Sequence, residues 1–194
     1  MSRGPRPWVA KLGGWYHNGG FDSLRYDDSD LSLADPASSG TPRRFSNNYG
    51  GYAVGEAVLW RGEGSHVAAF ARGFAQPDDR NAVSLQLDAG IAWRGPFGRE
   101  DDTLALGVSW ARIGATSRAF DRDQVAFGAM RPVRSHETVV EIGYDLAAVP
   151  ERLSLRPLVE MLFNPAAGEP DERRSPERAL PNAVLFGLRA VATF

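Results

Sequence analysis

The feature that most constrains this chain is a series of long segments in which apolar and polar residues alternate one by one. A helix places its apolar residues three and four positions apart, whereas a strand places them two apart. Residues 81–94 show the period of two most clearly. One face of that segment carries only apolar side chains: Val83, Leu85, Leu87, Ala89, Ile91 and Trp93. The pattern predicts strands with one wholly apolar face.

Eight such segments are predicted along the chain. Several are about 11–14 residues long, whereas soluble strands usually have about 5–6 residues and a membrane-spanning strand needs about 9–11. The lengths indicate an all-β fold, an antiparallel transmembrane β-barrel with about eight strands in this chain. The predicted strands are Trp8–Asn18, Tyr49–Trp60, His66–Gln76, Asn81–Arg94, Asp102–Ile113, His136–Val149, Leu153–Asn164 and Asn182–Phe194.

The connections between these segments support a membrane orientation. Outer-membrane barrels have short periplasmic turns and longer extracellular loops. With the C-terminus in the periplasm, a polar linker at residues 19–48 and loops at 114–135 and 165–181 all fall on the extracellular side. Residues 77–80 also fall there, although this connection is short. The remaining connections are short turns on the opposite side.

A soluble β-sandwich binding module explains the alternation equally well, because its strands also have one apolar face. Strand length and aromatic residues near strand ends favour the membrane barrel. The opposite face also carries ionisable residues in the middle of strands, which a water-filled interior tolerates. These residues are Asp88, Glu141, Glu160 and Arg189.

No pattern in the sequence indicates an enzyme, a cofactor or a metal. The chain has no cysteine, which excludes disulfides and thiolate metal sites. His17, His66 and His136 are far apart and lack the spacing of metal ligands. A net charge of −2 gives no indication of nucleic-acid binding.

Three pairs of adjacent carboxylates lie in predicted loops or turns. They are Asp27-Asp28, Asp78-Asp79 and Asp101-Asp102. Solvated loop charge is favoured over catalysis or calcium binding for each pair.

The two ends of the chain lead to different expectations. Residues 1–7 lack the charged start, apolar stretch and cleavage site of a secretory signal. We therefore expect either a cytoplasmic protein or a piece of a longer one. Phe194 closes the last alternating segment and resembles the C-terminal signal that the barrel-insertion machinery of the outer membrane recognises.

Several segments, in order, resemble the OprB family of carbohydrate-selective porins over nearly the whole chain. The segments are Lys11–Gly19, Tyr49–Val54, Phe70–Gly73, Asp88–Gly90, Glu137–Tyr144, Leu155–Pro157, Phe163–Pro165 and Asn182–Val184. Their order is similar to that of the C-terminal half of the family. The resemblance implies a sixteen-stranded barrel in the outer membrane of a Gram-negative bacterium, through which mono- or oligosaccharides diffuse without a cofactor.

The resemblance also implies a charged channel lumen that contacts sugars. The candidate lumen residues are Arg72, Asp88, Glu141, Glu160 and Arg189. The faces of the third strand are ambiguous, so the placement of Arg72 stays open. Solvation of the channel wall or pairing across strands is the alternative role for all five residues.

The chain departs from the family pattern because it has about eight strands. We treat residues 1–194 as the C-terminal part of a single barrel domain. Open sheet edges are costly in lipid, and eight strands alone close into a barrel too narrow for sugar. The expected partners are sugars, outer-membrane lipid, the insertion machinery through Phe194, and either an oligomer or a missing N-terminal half. A truncated barrel fragment without transport is the second functional hypothesis.

Overall fold

The computed structural model describes residues 8–193, which form twelve strands, one α-helix and two single-turn 3-10 helices. The strands are β1 (Trp8–His17), β2 (Phe21–Asp27), β3 (Pro42–Phe45), β4 (Asn48–Gly62), β5 (Ser65–Ala75), β6 (Val83–Arg94), β7 (Thr103–Ile113), β8 (His136–Val149), β9 (Leu153–Phe163), β10 (Pro170–Asp171), β11 (Ser175–Ala179) and β12 (Ala183–Ala192). The α-helix, α1, spans Ala115–Ala126, and the short helices span Pro96–Gly98 and Pro165–Ala167.

Eight strands form one antiparallel sheet in the order β1-β4-β5-β6-β7-β8-β9-β12. They are the eight predicted strands, and their bounds differ from the predicted ones by at most two residues. Phe194, the predicted end of the last strand, lies outside the described residues. The all-β antiparallel prediction is therefore confirmed. Over residues 8–193 the sheet is open, with β1 and β12 at its two edges.

Over residues 8–193, no second sheet packs against the apolar face of this sheet. Among the described residues, Ile113 and Ala167 are the only buried hydrophobic residues. Large apolar side chains along the sheet are exposed: Leu12, Leu87, Ile91, Leu106, Val108, Ile142, Phe186 and Leu188. A β-sandwich would bury such residues between two sheets. The alternative prediction of a soluble β-sandwich is therefore wrong.

The connections at one end of the sheet are short turns, and those at the other end are folded. The predicted linker at 19–48 contains the β2–β3 hairpin, and the predicted loop at 114–135 contains α1. The predicted charged loop at 165–181 contains the β10–β11 hairpin. In residues 8–193 no helix is long and apolar enough to cross a membrane.

Asp102 fastens the short turn that precedes β7. Its side chain is 1% exposed, and its carboxylate accepts hydrogen bonds from Arg99, the Tyr144 hydroxyl (2.6 Å) and the Ala147 amide (2.9 Å). The hydrogen bond from Arg99 is the main cause that lowers the pKa of Asp102 to about 2, against the effect of burial. The expectation of solvated loop charge is wrong here, because three donors replace water around the carboxylate.

We expect Asp102→Ala to lower the thermal stability of the folded sheet. The substitution leaves the Tyr144 hydroxyl and the Ala147 amide without their acceptor, and an unpaired buried donor costs about 1–3 kcal/mol. The measurement is the temperature at which the detergent-refolded protein loses its compact form on an SDS gel. Asp101→Ala is the matched control, because the neighbouring side chain is exposed. An equal loss of stability in both variants would contradict the role of Asp102.

Candidate functional site

All five predicted lumen residues lie on one face of the eight-stranded sheet, which we call the polar face. Arg72 is directly opposite Asp88, and Glu141 is directly opposite Glu160. Gly90, two residues after Asp88, pairs directly with Gly107 of β7, and Gly107 pairs directly with Glu141 of β8. Residues two apart share a face of a strand. Arg156 lies four residues before Glu160 and opposite Arg189, which places Arg189 on the polar face too.

The first charged cluster of the polar face joins β5 to β6. Arg72 Nε donates a hydrogen bond of 2.8 Å to Asp88 Oδ2, and Gln86 Nε2 lies 3.2 Å from the other carboxylate oxygen. The Arg72 guanidinium also lies 5.7 Å from the centre of the Phe70 ring. The ambiguity about the third predicted strand is thereby resolved. Phe70, Arg72 and Phe74 share the polar face with Asp88.

The second charged cluster joins β8, β9 and β12. Arg156 donates to Glu141 Oε1 at 2.7 Å and to Asp145 Oδ2 at 3.4 Å. Glu160 lies beside Glu141, and Arg189 lies beside Arg156. Among residues 8–193, no ion pair involves Glu160 or Arg189. One arginine therefore balances two of the three carboxylates.

Glycines on the polar face let large side chains lie flat across the sheet. A Cβ at position 90 would lie 2.6 Å from the Phe70 ring, and a Cβ at position 143 would lie 2.8 Å from Arg156 Nε. Both distances are shorter than ordinary contacts. Gly90 therefore permits the position of Phe70, and Gly143 permits that of Arg156.

The folded connections at one end of the sheet pack together into a layer, which we call the loop layer (residues 18–47, 76–82, 114–135 and 164–182). Helix α1 is its centre. Asp123 of the helix accepts two hydrogen bonds from Arg25, at 2.7 and 3.1 Å, and one from the Ser32 hydroxyl at 2.7 Å. The first connection is thereby attached to the third.

A second carboxylate of α1 attaches the helix to the segments that follow it. Asp121 is fully buried and accepts hydrogen bonds from the backbone amide, Nε and Nη2 of Arg134, at 2.8–3.0 Å. Arg131 Nη2 lies 3.3 Å from the same carboxylate. Arg134 also lies 3.5 Å from Glu169 in the last connection. Asp123 therefore joins α1 to the first connection directly, whereas Asp121 joins it to the last connection through Arg134.

The short connection at residues 76–82 completes the loop layer. Asp78 accepts a hydrogen bond of 2.7 Å from the Ala115 amide at the start of α1, where a carboxylate stabilises the helix dipole. Arg80 lies 3.8 Å from the centre of the Phe45 ring and donates to the Asn47 carbonyl at 2.6 Å. The expectation that Asp78 is merely solvated is wrong, because its carboxylate replaces the missing side-chain cap of α1.

Asp27 organises the inside of the first connection. It is fully buried, and its two oxygens accept hydrogen bonds from the Ser29 and Leu31 amides, the Ser38 hydroxyl and the Ser39 amide, at 2.7–2.9 Å. The hydrogen bond from Ser38 is the main cause that lowers the pKa of Asp27 to about 2, against the effect of burial. The expectation of solvated charge is wrong here as well.

The described residues contain no group of three or more histidines or carboxylates that could hold a metal ion. The geometry of the polar face instead offers hydrogen-bond donors and acceptors along an open sheet.

The sequence and the fold of this sheet are both similar to those of known proteins. The family model described as carbohydrate-selective porin, OprB family, matches residues 9–194. The chain belongs to the OprB family of carbohydrate-selective porins. No curated protein sequence matches it. A solved structure of OprB from Pseudomonas putida at high pH is similar in fold, with a TM-score of 0.84 at 18% sequence identity.

The similarity to Pseudomonas putida OprB covers 97% of this chain but 45% of that protein. This chain thus spans less than half the length of its solved relative. Membership in the OprB family confirms the expected location, the outer membrane of a Gram-negative bacterium. A porin is a channel, so the family also confirms that the chain is not an enzyme.

Arg156 and Asp145 are polar-face residues that the sequence prediction for this OprB-family chain missed. Neither residue is among the five candidate lumen residues of the sequence analysis. A signal for Arg156 exists, because it lies four residues before Glu160 in a strand and therefore shares its face. Its contact with Glu141 depends on cross-strand register, which a single sequence does not provide.

We expect Asp27→Asn to loosen the first connection of the loop layer without unfolding the sheet. The asparagine side chain has one acceptor oxygen, and its second oxygen position is taken by an NH2 group. The donors that bind this second position in the natural protein therefore lose their acceptor. The measurement is the rate of trypsin cleavage after Arg25, Arg43 or Arg44, which should rise. Asp28→Asn is the matched control, since Asp28 is exposed. Equal cleavage rates in both variants would argue against a special role of Asp27.

The same carboxylate predicts an acid-dependent opening of the loop layer. Because folding lowers the pKa of Asp27 from 3.8 to about 2, its stabilising effect is complete above pH 3.8 and is lost as the pH falls through about 2. Pepsin digestion between pH 4.5 and 2 should cut residues 18–47 increasingly fast at the acid end. The Asp27→Asn variant should depend less on pH. An identical pH profile in both proteins would contradict the prediction.

Proposed function

We propose that this chain forms part of an outer-membrane pore for the passive, selective diffusion of mono- or oligosaccharides. The observation that carries the proposal is the difference between the two faces of one sheet. The apolar face is exposed and uniform, as contact with lipid requires. The polar face carries two charged clusters, as contact with a water-filled lumen permits. Membership in the OprB family supports sugar as the solute.

The proposed lumen residues are Arg72, Asp88, Glu141, Glu160 and Arg189, and we add Arg156. Sugar hydroxyls both donate and accept hydrogen bonds. A wall that carries arginines and carboxylates can therefore replace the water molecules that bind these hydroxyls, because the arginines donate and the carboxylates accept. Glu160 and Arg189 are especially suited to this role because no ion pair within residues 8–193 occupies them. The Phe70 ring, beside Arg72 on the same face, offers an apolar surface for a sugar ring.

We also propose how the chain is placed in the membrane, with its polar face towards the lumen. The chain corresponds to the C-terminal half of the family's barrel, as one domain over residues 1–194. The loop layer then lies on the extracellular side, at the entrance to the lumen. The apolar face contacts outer-membrane lipid, and Phe194 serves as the signal for the insertion machinery.

Liposome swelling with detergent-refolded protein tests the proposed function. Glucose is compared with a non-carbohydrate solute of similar size, and we expect faster swelling with glucose. Liposomes treated with the same detergent but without protein give the baseline swelling rate. Absence of swelling with either solute, despite a heat-modifiable β-rich fold, would contradict the proposal. It would instead support the second hypothesis, a barrel fragment that does not transport.

Arg156→Gln is expected to shift the ion preference of the pore towards cations. The substitution leaves the carboxylates of Glu141 and Asp145 without their shared arginine, so the local potential of the lumen becomes more negative. The measurement is the reversal potential of bilayer currents across a potassium chloride gradient. Arg152→Gln is the matched control, because it removes the same charge from an exposed turn. A shift of equal size in both variants would place Arg156 away from the conducting path.

A further inference from the structure

The short-turn end of the polar face, opposite the loop layer, carries a row of three basic side chains. Adjacent residues of a strand point to opposite faces, so Arg94 lies on the polar face because Trp93 lies on the apolar one. His66 of β5 pairs directly with Arg94, and Arg61 of β4 pairs directly with His66. Directly paired residues share a face, and their Cβ atoms lie about 4.5–5.5 Å apart. We call Arg61, His66 and Arg94 the basic row.

The basic row differs from the two charged clusters of the polar face because it lacks carboxylate partners. In those clusters Arg72 contacts Asp88, and Arg156 contacts Glu141. Within residues 8–193, by contrast, no ion pair involves a member of the basic row. Positive charges on neighbouring strands repel one another, and an anion bound between them would offset that repulsion. The row is therefore able to accept an anion from outside the chain.

Two neighbouring turns hold the backbone below the basic row in one position. The turn before β5 and the turn before β7 touch through their backbones, because a Cβ at position 95 would collide with the Gly64 carbonyl oxygen. Both Gly64 (φ 62°) and Gly95 (φ 73°) have the left-handed backbone that favours glycine. Ser65 Oγ donates to the Arg94 carbonyl at 2.8 Å and accepts from Trp93 Nε1 at 2.9 Å. The frame of the row is thus built before any ligand binds.

A cavity of about 420 Å³ opens at this frame, lined by the basic row together with Ser65, Glu100 and Asp101. Its volume falls within the range of roughly 300–1,000 Å³ that is typical of small-molecule sites. The Glu100 carboxylate lies over Gly64, and the Glu100 carbonyl oxygen lies 3.4 Å from Arg94 Nε. Among the described residues, neither Glu100 nor Asp101 forms an ion pair. The strands therefore supply hydrogen-bond donors to the cavity, and the turn before β7 supplies acceptors.

This arrangement determines the class of ligand that fits. Arginine forks bind carboxylates with two parallel hydrogen bonds, and the His66 imidazole offers an N–H donor whether it is neutral or protonated. A bare inorganic anion would use these donors but would leave Glu100 and Asp101 without donors of their own. Hydroxyl groups on the same ligand would supply them. A lipid phosphate does not reach the row, because the row lies on the face opposite the apolar one.

We propose that this cavity binds sugar acids, with the carboxylate of the ligand on Arg61 and Arg94 and its hydroxyls on Glu100 and Asp101. The inference rests on the proposed function, because it makes the polar face the wall that a solute passes. It narrows the solute class, since the site favours sugars that carry a carboxylate over neutral ones. The ligand would meet the site at the end of the lumen away from the loop layer.

Isothermal titration calorimetry of the detergent-refolded protein tests the site in a chloride-free buffer of low ionic strength, where anion binding is least screened. Three probes are compared: glucuronate, glucose, which lacks the carboxylate, and acetate, which lacks the sugar ring. We expect glucuronate to bind about tenfold more tightly than either of the others, because only glucuronate contacts the arginines and the carboxylates together.

Two variants test the residues of the basic row. Arg61→Gln and Arg94→Gln are each expected to weaken glucuronate binding about tenfold, because each removes a charged hydrogen-bond donor. Arg152→Gln is the matched control, since it removes the same charge from an exposed turn at the same end of the sheet, and it should bind glucuronate like the natural protein. A heat-modifiable band on an SDS gel shows that each variant is folded. Arg94→Lys replaces any glutamine variant that does not refold, and it should also weaken binding because lysine lacks the guanidinium fork.

Equal affinities for glucuronate and glucose, or for glucuronate and acetate, would overturn the proposal. Equal weakening of glucuronate binding by Arg152→Gln and the basic-row variants would overturn it too. Tight glucuronate binding without liposome swelling would reject the pore and leave the site intact. Swelling with glucose, combined with no preference for glucuronate in calorimetry, would reject the site alone.

Discussion

Backbone hydrogen bonding between neighbouring strands is the interaction on which the rest of this structure depends. A soluble domain of this size would gain most of its stability from a buried apolar core, but here only Ile113 and Ala167 are buried hydrophobic residues among those described. The apolar side chains instead form one exposed face. A sheet of this kind is stable only where lipid covers that face, and lipid allows no unpaired backbone group. Strand length and alternation both follow from this constraint.

The polar face shows how charge is tolerated on such a sheet. Its charges are grouped so that arginines contact carboxylates on neighbouring strands, as with Arg72 and Asp88 or Arg156 and Glu141. Between the two clusters, the middle of β7 contributes small residues to this face: Ala105, Gly107, Ser109 and Ala111. The clusters are therefore separated by a strip of small side chains.

The loop layer is held together by carboxylates, not by apolar packing. Asp121 and Asp123 lie two positions apart on α1 and contact different connections. Asp78 caps the same helix from a third connection, and Asp27 folds the first connection upon itself. Long connections at one end of the sheet gain a defined shape in this way. Their stability consequently depends on ionised carboxylates.

The sequence by itself determined the eight long strands, their bounds and their two faces, because a period of two is a local property that survives in any packing. It also determined that Asp88, Glu141, Glu160 and Arg189 share the polar side. Only the tertiary structure decided that Arg72 contacts Asp88 and that Arg156 bridges Glu141 and Asp145, since cross-strand register is set by pairing between distant segments. The same holds for the loop layer. Helix α1 has no side-chain cap of its own, and its start is capped by Asp78, which lies 37 positions earlier in the chain. Contacts of this range leave no trace in local periodicity, so they arise only when the sheet brings the connections together.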